Sequence, residues 1–159
     1  MWKELKIKLP TWLDEDERLE LNEEIGDYVV TTMLDLLGDG VSPVTGKGFK
    51  ALSKKYADDD KGGDTTANME LEGDMLSSLT YEADPYSVKI GIWDEDQAIK
   101  AYGHTTGMKG HPWLEGKVAE RKIIPGAKES FAGTIQDGID LLIEEFLDAR
   151  QDSEAIEGA

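Results

Sequence analysis

The stretch Thr80–Trp93, TYEADPYSVKIGIW, decides the fold. Thr80–Ala83 and Tyr86–Trp93 both alternate in polarity, with Val88, Ile90 and Ile92 on one face, the period-two pattern of half-buried strands. Asp84-Pro85 supplies the turn between them, so the reading is an antiparallel β-hairpin. A small sheet has to bury its apolar face against another layer. The residues on either side of the hairpin should therefore supply that layer.

Two long helices do so. Between Asp14 and Leu37, the residues Leu21, Ile25, Tyr28, Val29, Thr32, Met33 and Leu36 recur at helical spacing. Asp14 and Glu17 stand as a capping pair, acids fill the first turns, and Gly38-Asp39-Gly40 ends the helix. The last helix is expected over Lys128–Ala149, with Phe131, Ile135, Ile139, Leu142, Phe146 and Ala149 as one apolar stripe. Shorter elements lie between and before these. Trp2, Leu5, Ile7 and Leu9 alternate with charges as a strand closed by Pro10. Ala67–Leu71 reads as a short strand, and Gly73–Leu79 as a turn or two of helix presenting Met75, Leu76 and Leu79. Asp94 is an N-cap for a helix over Glu95–His104, which stops at the glycine-rich stretch from Gly103 to Gly110. Val118–Ile124 reads as a further strand.

These elements give an α+β class, a small antiparallel sheet packed with two long helices, in a single domain over residues 1–150. Residues 41–66 are rich in turn formers and read as one long loop with a short helical stretch near Phe49–Tyr56. Residues 151–159 are acidic and aperiodic, and are expected to fray.

Composition narrows the function classes. The 159 residues hold 39% hydrophobic and 32% charged side chains, a globular balance. With no cysteine there is no disulfide framework, thiolate metal site or cysteine nucleophile. The alternating residues Met1–Pro10 lack the apolar run of a signal peptide, and no window reaches the ~20 apolar residues of a membrane span. A formal net charge of −17 argues against general nucleic-acid binding, which depends on lysine and arginine displacing counterions.

Motifs with chemical potential are weak. Gly40–Lys47 has the outline of a phosphate-binding loop, but the glycines are one residue too far apart and Gly48 stands where a hydroxyl residue is needed. Asp58–Asp64 has the start of a calcium loop, yet Met69 occupies the position of the closing bidentate glutamate. His104 and His111 are the only histidines, and the serines lie in no nucleophile-elbow pattern. Neither an active site nor a cofactor or metal site is expected.

Contact surfaces are the better candidates. Lys47, Lys50, Lys54 and Lys55 form a basic patch, with Phe49 and Tyr56 among them, followed at once by Asp58, Asp59 and Asp60. Opposed patches of this kind suit head-to-tail contacts in a ring. A lysine face exposed to water is the equally good simple reading. Trp93, Tyr102 and Trp113 flank the glycine-rich segment, with His104 between them, as candidate partner anchors against the simpler reading of core packing.

Five segments in order carry a resemblance. They are Gly46–Ala57 (GKGFKALSKKYA), Met69–Leu79 (MELEGDMLSSL), Val88–Ile92 (VKIGI), Ala98–Gly107 (AIKAYGHTTG) and Glu120–Pro125 (ERKIIP). This succession, spanning about Leu36 to Arg150, resembles the virion morphogenesis and tail-completion proteins of tailed bacteriophages. The chain departs from that pattern where Arg121-Lys122-Ile123 replaces an arginine-aromatic pair, and its N-terminal strand and acidic helix have no counterpart in it.

The resemblance implies a structural virion protein rather than an enzyme: a neck or tail-completion component forming a homo-oligomeric ring, hexameric or dodecameric, at the head–tail junction. Its implied neighbours are other neck, connector or tail proteins, with DNA passing through the channel without specific binding, no membrane, and assembly in the host cytoplasm. Arg121 joins the candidate contacts on this ground. The alternatives are a tail terminator or tail-tube protein, a small acidic binding protein or DNA mimic, and an enzyme using His104, His111 and nearby acids. A mimic would bind a basic protein one to one and release it in salt. An enzyme would lose turnover on alanine substitution of the histidines with folding intact.

Overall fold

Strand β3 (Val88–Ile92) is the middle of the sheet because both its edges are occupied. β2 (Leu79–Ala83) pairs antiparallel on one side, Leu79 opposite Ile92 through Ala83 opposite Val88. β1 (Trp2–Leu5) pairs antiparallel on the other, Trp2 opposite Gly91 through Leu5 opposite Val88. The computed structural model describes residues 1–49, 73–106 and 121–157, and among these the sheet has the order β1-β3-β2. The α+β class expected from the sequence is the class observed.

The hairpin turn is wider than the reading allows. Asp84 accepts from the amides of Tyr86 and Ser87 at 2.7 and 2.9 Å and from Ser87 Oγ at 3.2 Å, while its own amide donates to the Ser87 carbonyl. An aspartate that captures amides two and three residues on closes a turn. Tyr86 therefore lies in the turn, and the second strand starts at Val88, not Tyr86.

Helix α1 (Glu15–Gly38) covers one sheet face. Its start is the expected capping box: Asp14 Oδ1 accepts from the Glu17 amide, and Glu17 Oε1 accepts from the Asp14 amide. Leu21, Ile25, Val29, Met33 and Leu37 form the fully buried stripe, meeting Val88, Ile90 and Ile92 in the core. Burying each such side chain contributes about 1.5–3 kcal/mol. The stripe ends on Leu37 rather than the expected Leu36, which is half-buried, because Leu37 follows Met33 at a spacing of four. At the end of the helix, the amide of Val41 donates to Leu36 O at 2.8 Å, and Gly40 takes the left-handed conformation (φ 74°) that relieves the last carbonyls. Asn22 is buried and donates to the Asp84 carbonyl at 2.8 Å, tying α1 to the hairpin turn.

The short helix α2 (Gly73–Ser77) buries Met75, as its apolar content implies. α3 (Glu95–Thr106) starts where Asp94 accepts from the Gln97 amide at 3.0 Å, and packs against β3 and α2. Past it, the expected strand over Val118–Ile124 fails for the part described, residues 121–124. Arg121 and Ile123 instead donate their amides to the His104 carbonyl and to Thr105 Oγ1, at 2.6 and 3.4 Å. Ile123 and Ile124 are both fully buried, which excludes the alternation of a one-sided strand.

The last helix, α4 (Gly133–Glu157), starts five residues later than expected. Phe131 and Ala132 are buried ahead of it, and the Ala132 amide donates to the Pro43 carbonyl at 2.7 Å. That bond takes the chain out of helical pairing until Gly133. The helix then continues past Arg150 to Glu157, through residues read as a frayed tail, since Gly158 is the first helix breaker after Gly138. α4 lies antiparallel on α1. Tyr28 donates to the Thr134 carbonyl at one end, and Arg150 meets Glu17 and Glu20 at 3.1 and 2.8 Å at the other. Arg150 also lies 3.7 Å over the Phe146 ring.

Candidate contact surfaces

Residues 41–49 fold as a closed hairpin, not as part of an extended loop. Val41 bridges Gly48, and Phe49 donates to the Gly40 carbonyl at 2.7 Å. The buried Ser42 organises it. Its hydroxyl donates to the Lys122 carbonyl at 2.6 Å and accepts from the amides of Val44 and Thr45 at 3.1 Å each. The Gly46 amide donates to Ser42 O and the Lys47 amide to Thr45 Oγ1. A phosphate loop works by aiming free backbone amides at its ligand. Here those amides are already donated within the turn, so the phosphate-loop outline is a structural turn.

Of the candidate contact residues, Lys47 is exposed at this hairpin, and Phe49 is half-buried against the core. Trp93 and Tyr102 follow β3 and lie on α3, and His104 and Arg121 are joined through the His104 carbonyl. Lys50, Lys54, Lys55, Tyr56, Asp58, Asp59, Asp60 and Trp113 lie outside the described residues, as do His111, the calcium-loop outline and the strand expected at Ala67–Leu71. Among the described residues, no three histidine or acidic side chains are grouped to hold a metal ion, and no helix is long and apolar enough to cross a membrane.

Three surfaces remain. The first is acidic. Glu15, Asp16, Glu20, Glu23, Glu24, Asp27 and Asp35 are exposed on α1, and Asp137, Asp140, Glu144, Glu145 and Asp148 on α4. The only cations in the described side chains of these helices are turned to local use. Arg18 donates to the carbonyls of Leu13 and Pro10, at 3.0 and 2.6 Å, and Arg150 pairs with Glu17 and Glu20. Glu20 is taken by Arg150; among the described residues of these two helices no further cation faces the other eleven carboxylates, and their summed field repels anions.

The second surface is the sheet face turned away from α1. Trp2 is 53% exposed and stacks on Trp93, ring centroids 6.1 Å apart and planes 8° from parallel. Gly91, opposite Trp2 in the ladder, leaves no room for a side chain between the strands. Beside this pair, Glu4, Lys89 and Glu82 stand in one cross-strand row. The third surface is the outer ridge of α3, where Ile99 and Tyr102 are exposed one helical turn apart.

Of the aromatic candidates singled out from the sequence, Tyr102 is exposed and Trp93 half-buried under Trp2, while the exposed Trp2 and Ile99 are not among the candidates. Trp2 joins Trp93 only through the β1–β3 pairing, which links residues about ninety positions apart and leaves no local signal. Ile99 could have been found, since it sits three residues before Tyr102 in the Asp94-capped helix.

Titration of the site groups follows their hydrogen bonds. Glu129 is held below the ordinary carboxylate range, first by the hydrogen bond from Lys122 and then by the Gly126 amide. Asp84 is lowered mainly by the Tyr86 amide. The Tyr86 hydroxyl is raised by its hydrogen bond to Glu15, and Tyr81 is raised by burial and then by Asp27. None of these groups is poised for acid–base work near neutrality. Comparison with protein-family models, curated proteins and solved structures finds no match to this chain.

Proposed function

We propose that this chain is a structural subunit of a tailed-phage particle, a neck or tail-completion component that works as a homo-oligomeric ring around the DNA channel, without catalysis or cofactor. The observation that carries the reading is the run of exposed carboxylates along α1 and α4, few of them paired among the described residues, taken with the succession of sequence segments that resembles the tail-completion family. A channel wall of carboxylates lets a polyanion pass without adhering, because phosphate binding requires cations to release counterions. The exposed aromatic residues Trp2 and Tyr102, on surfaces away from that field, supply the apolar anchors that subunit contacts need.

The test is recruitment. Labelled protein is incubated with head or tail preparations from a tailed phage host system and sedimented with the particles. Uptake in a fixed multiple-copy number, saturable and retained in moderate salt, supports the ring reading. A chain that ignores particles and binds one basic protein one to one, releasing it in salt, overturns it in favour of an acidic mimic.

A further inference from the structure

Among the described residues, strand β1 has one edge without a partner strand, and its side-chain order specifies what can pair with it. Met1 and Ile92 exchange hydrogen bonds in both directions, at 2.9 and 2.8 Å. In an antiparallel ladder the next such pairs are Lys3 with Ile90 and Leu5 with Val88, so the N–H and C=O groups of Trp2 and Glu4 point away from β3. Among the described residues, no strand pairs along that edge. The alternation continues beyond the ladder. Trp2, Glu4, Lys6 and Lys8 are exposed, while Lys3, Leu5, Ile7 and Leu9 are half-buried.

We infer that a second copy of this chain adds its own Trp2–Lys8 segment to this edge, antiparallel about a two-fold axis through Leu5, so that β1 of each copy lies against Leu5–Lys8 of the other and two sheets join into one. Charge selects the occupant and the register. On the outer face, Glu82, Lys89 and Glu4 already alternate in sign across β2, β3 and β1. With the axis at Leu5, Lys6 of the second copy lies opposite Glu4 and continues the alternation by one strand, and Lys8 of the second copy lies opposite Trp2. Opposite charges facing across strands stabilise pairing, and like charges oppose it.

Other registers fail. An axis at Lys3 sets Lys3 against Lys3, one at Glu4 sets Glu4 against Glu4, one at Ile7 sets Lys6 against Lys8, and one at Lys6 sets Lys6 against Lys6, although it also pairs Glu4 with Lys8. Lysines on an edge ordinarily discourage strand addition. Here a glutamate two residues away makes the register about Leu5 the one among these in which no like charges face each other. The contact is isologous and closes after two copies, whereas a ring needs a head-to-tail surface. The inference therefore stands apart from the ring reading.

The test uses the full chain and measures mass against concentration by sedimentation equilibrium, with far-UV circular dichroism to show that each variant is folded. Wild type is expected to form a dimer. Glu4→Lys alone and Lys6→Glu alone each place like charges at both symmetry-related pairs, and each should weaken association at least tenfold. An equimolar mixture of the two variants restores opposite charges at both pairs and should recover the dimer. A wild type monomeric at about 0.1 mM, a sub-millimolar test of affinity, overturns the inference. So does a dimer that persists in both variants, or a mixture that fails to recover. Failure of particle recruitment leaves these outcomes unchanged, so the two readings fail separately.

Discussion

Replacing Gly26 with alanine sets two effects of opposite sign against each other. In the interior of α1, alanine is favoured over glycine by about 1 kcal/mol, because glycine loses more backbone freedom on folding. Gly26 is buried against Tyr81, however, and a Cβ there would overlap the ring, approaching Cε2 to 2.7 Å and other ring atoms more closely. The ring cannot swing aside cheaply, since Tyr81 lies in β2 opposite Ile90 and under α1. Relief requires the helix to lift from the sheet, loosening Ile25 and Val29. Overpacking of this kind costs ~1–3 kcal/mol, and here it acts against the backbone gain. Since lifting a 24-residue helix disturbs its whole buried stripe, the upper part of that range applies, and the net loss should be about 1–2 kcal/mol. In urea, with a mid-range slope of ~2 kcal/mol per molar, the midpoint should fall by about half to one molar. In a Tyr81→Ala background the overlap is gone, and the same Gly26→Ala change should stabilise. Gly38→Ala serves as the control. Its Cβ meets nothing within 4 Å, so the effect should stay within about 0.5 kcal/mol. A midpoint that rises for Gly26→Ala in the wild-type background would refute the reasoning. Strict additivity of Gly26→Ala and Tyr81→Ala would do the same.

Arg150→Gln should cost about 1–2 kcal/mol in urea unfolding, combining two partly exposed ion pairs at ~0.2–1 kcal/mol each with a cation–π contact over Phe146, and the loss should shrink in high salt. Ser42→Ala leaves two amides and the Lys122 carbonyl without their buried partner and should cost ~1–3 kcal/mol, whereas the exposed Thr45→Ala should cost clearly less on the same midpoint measurement. Glu129 and Asp84 have folded values below their unfolded ones, so their contributions are full above the unfolded values of 4.5 and 3.8 and disappear as pH falls through the folded values. Thermal melts should therefore lose stability on acidification below about pH 4.5, and Glu129→Gln and Asp84→Asn should each flatten part of that slope.

The candidate contact residues were only partly legible in the sequence. Trp93, Tyr102 and Lys47 stand out by residue type, but for an aromatic that type fits a core as well as a surface, and only the fold shows Tyr102 and Lys47 exposed and Trp93 half-buried. The acidic surface was legible as net charge but not as a run of carboxylates with few cations among the described residues. That required seeing Arg18 turned onto the Leu13 and Pro10 carbonyls and Arg150 spent on Glu17 and Glu20. Glycine spacing already speaks against the phosphate-loop outline at Gly40–Lys47, and the fold adds where its amides go, since a backbone amide's partner is not written in its own residue.

What the sequence determined by itself was local. The hairpin follows from a period of two on either side of Asp84-Pro85, α1 from a period of 3.6 behind an Asp14–Glu17 capping box, and α3 from the Asp94 cap, since these signals involve residues within a few positions of one another. Tertiary structure alone decided that β1 crosses to the far side of β3, that Trp2 meets Trp93, that Ile123 and Ile124 are buried without being a strand, and that α4 waits until Gly133 while Pro43 holds the Ala132 amide. Each of those outcomes joins residues distant in the chain. An amphipathic pattern specifies that a face must be buried, and only the folded arrangement specifies against what.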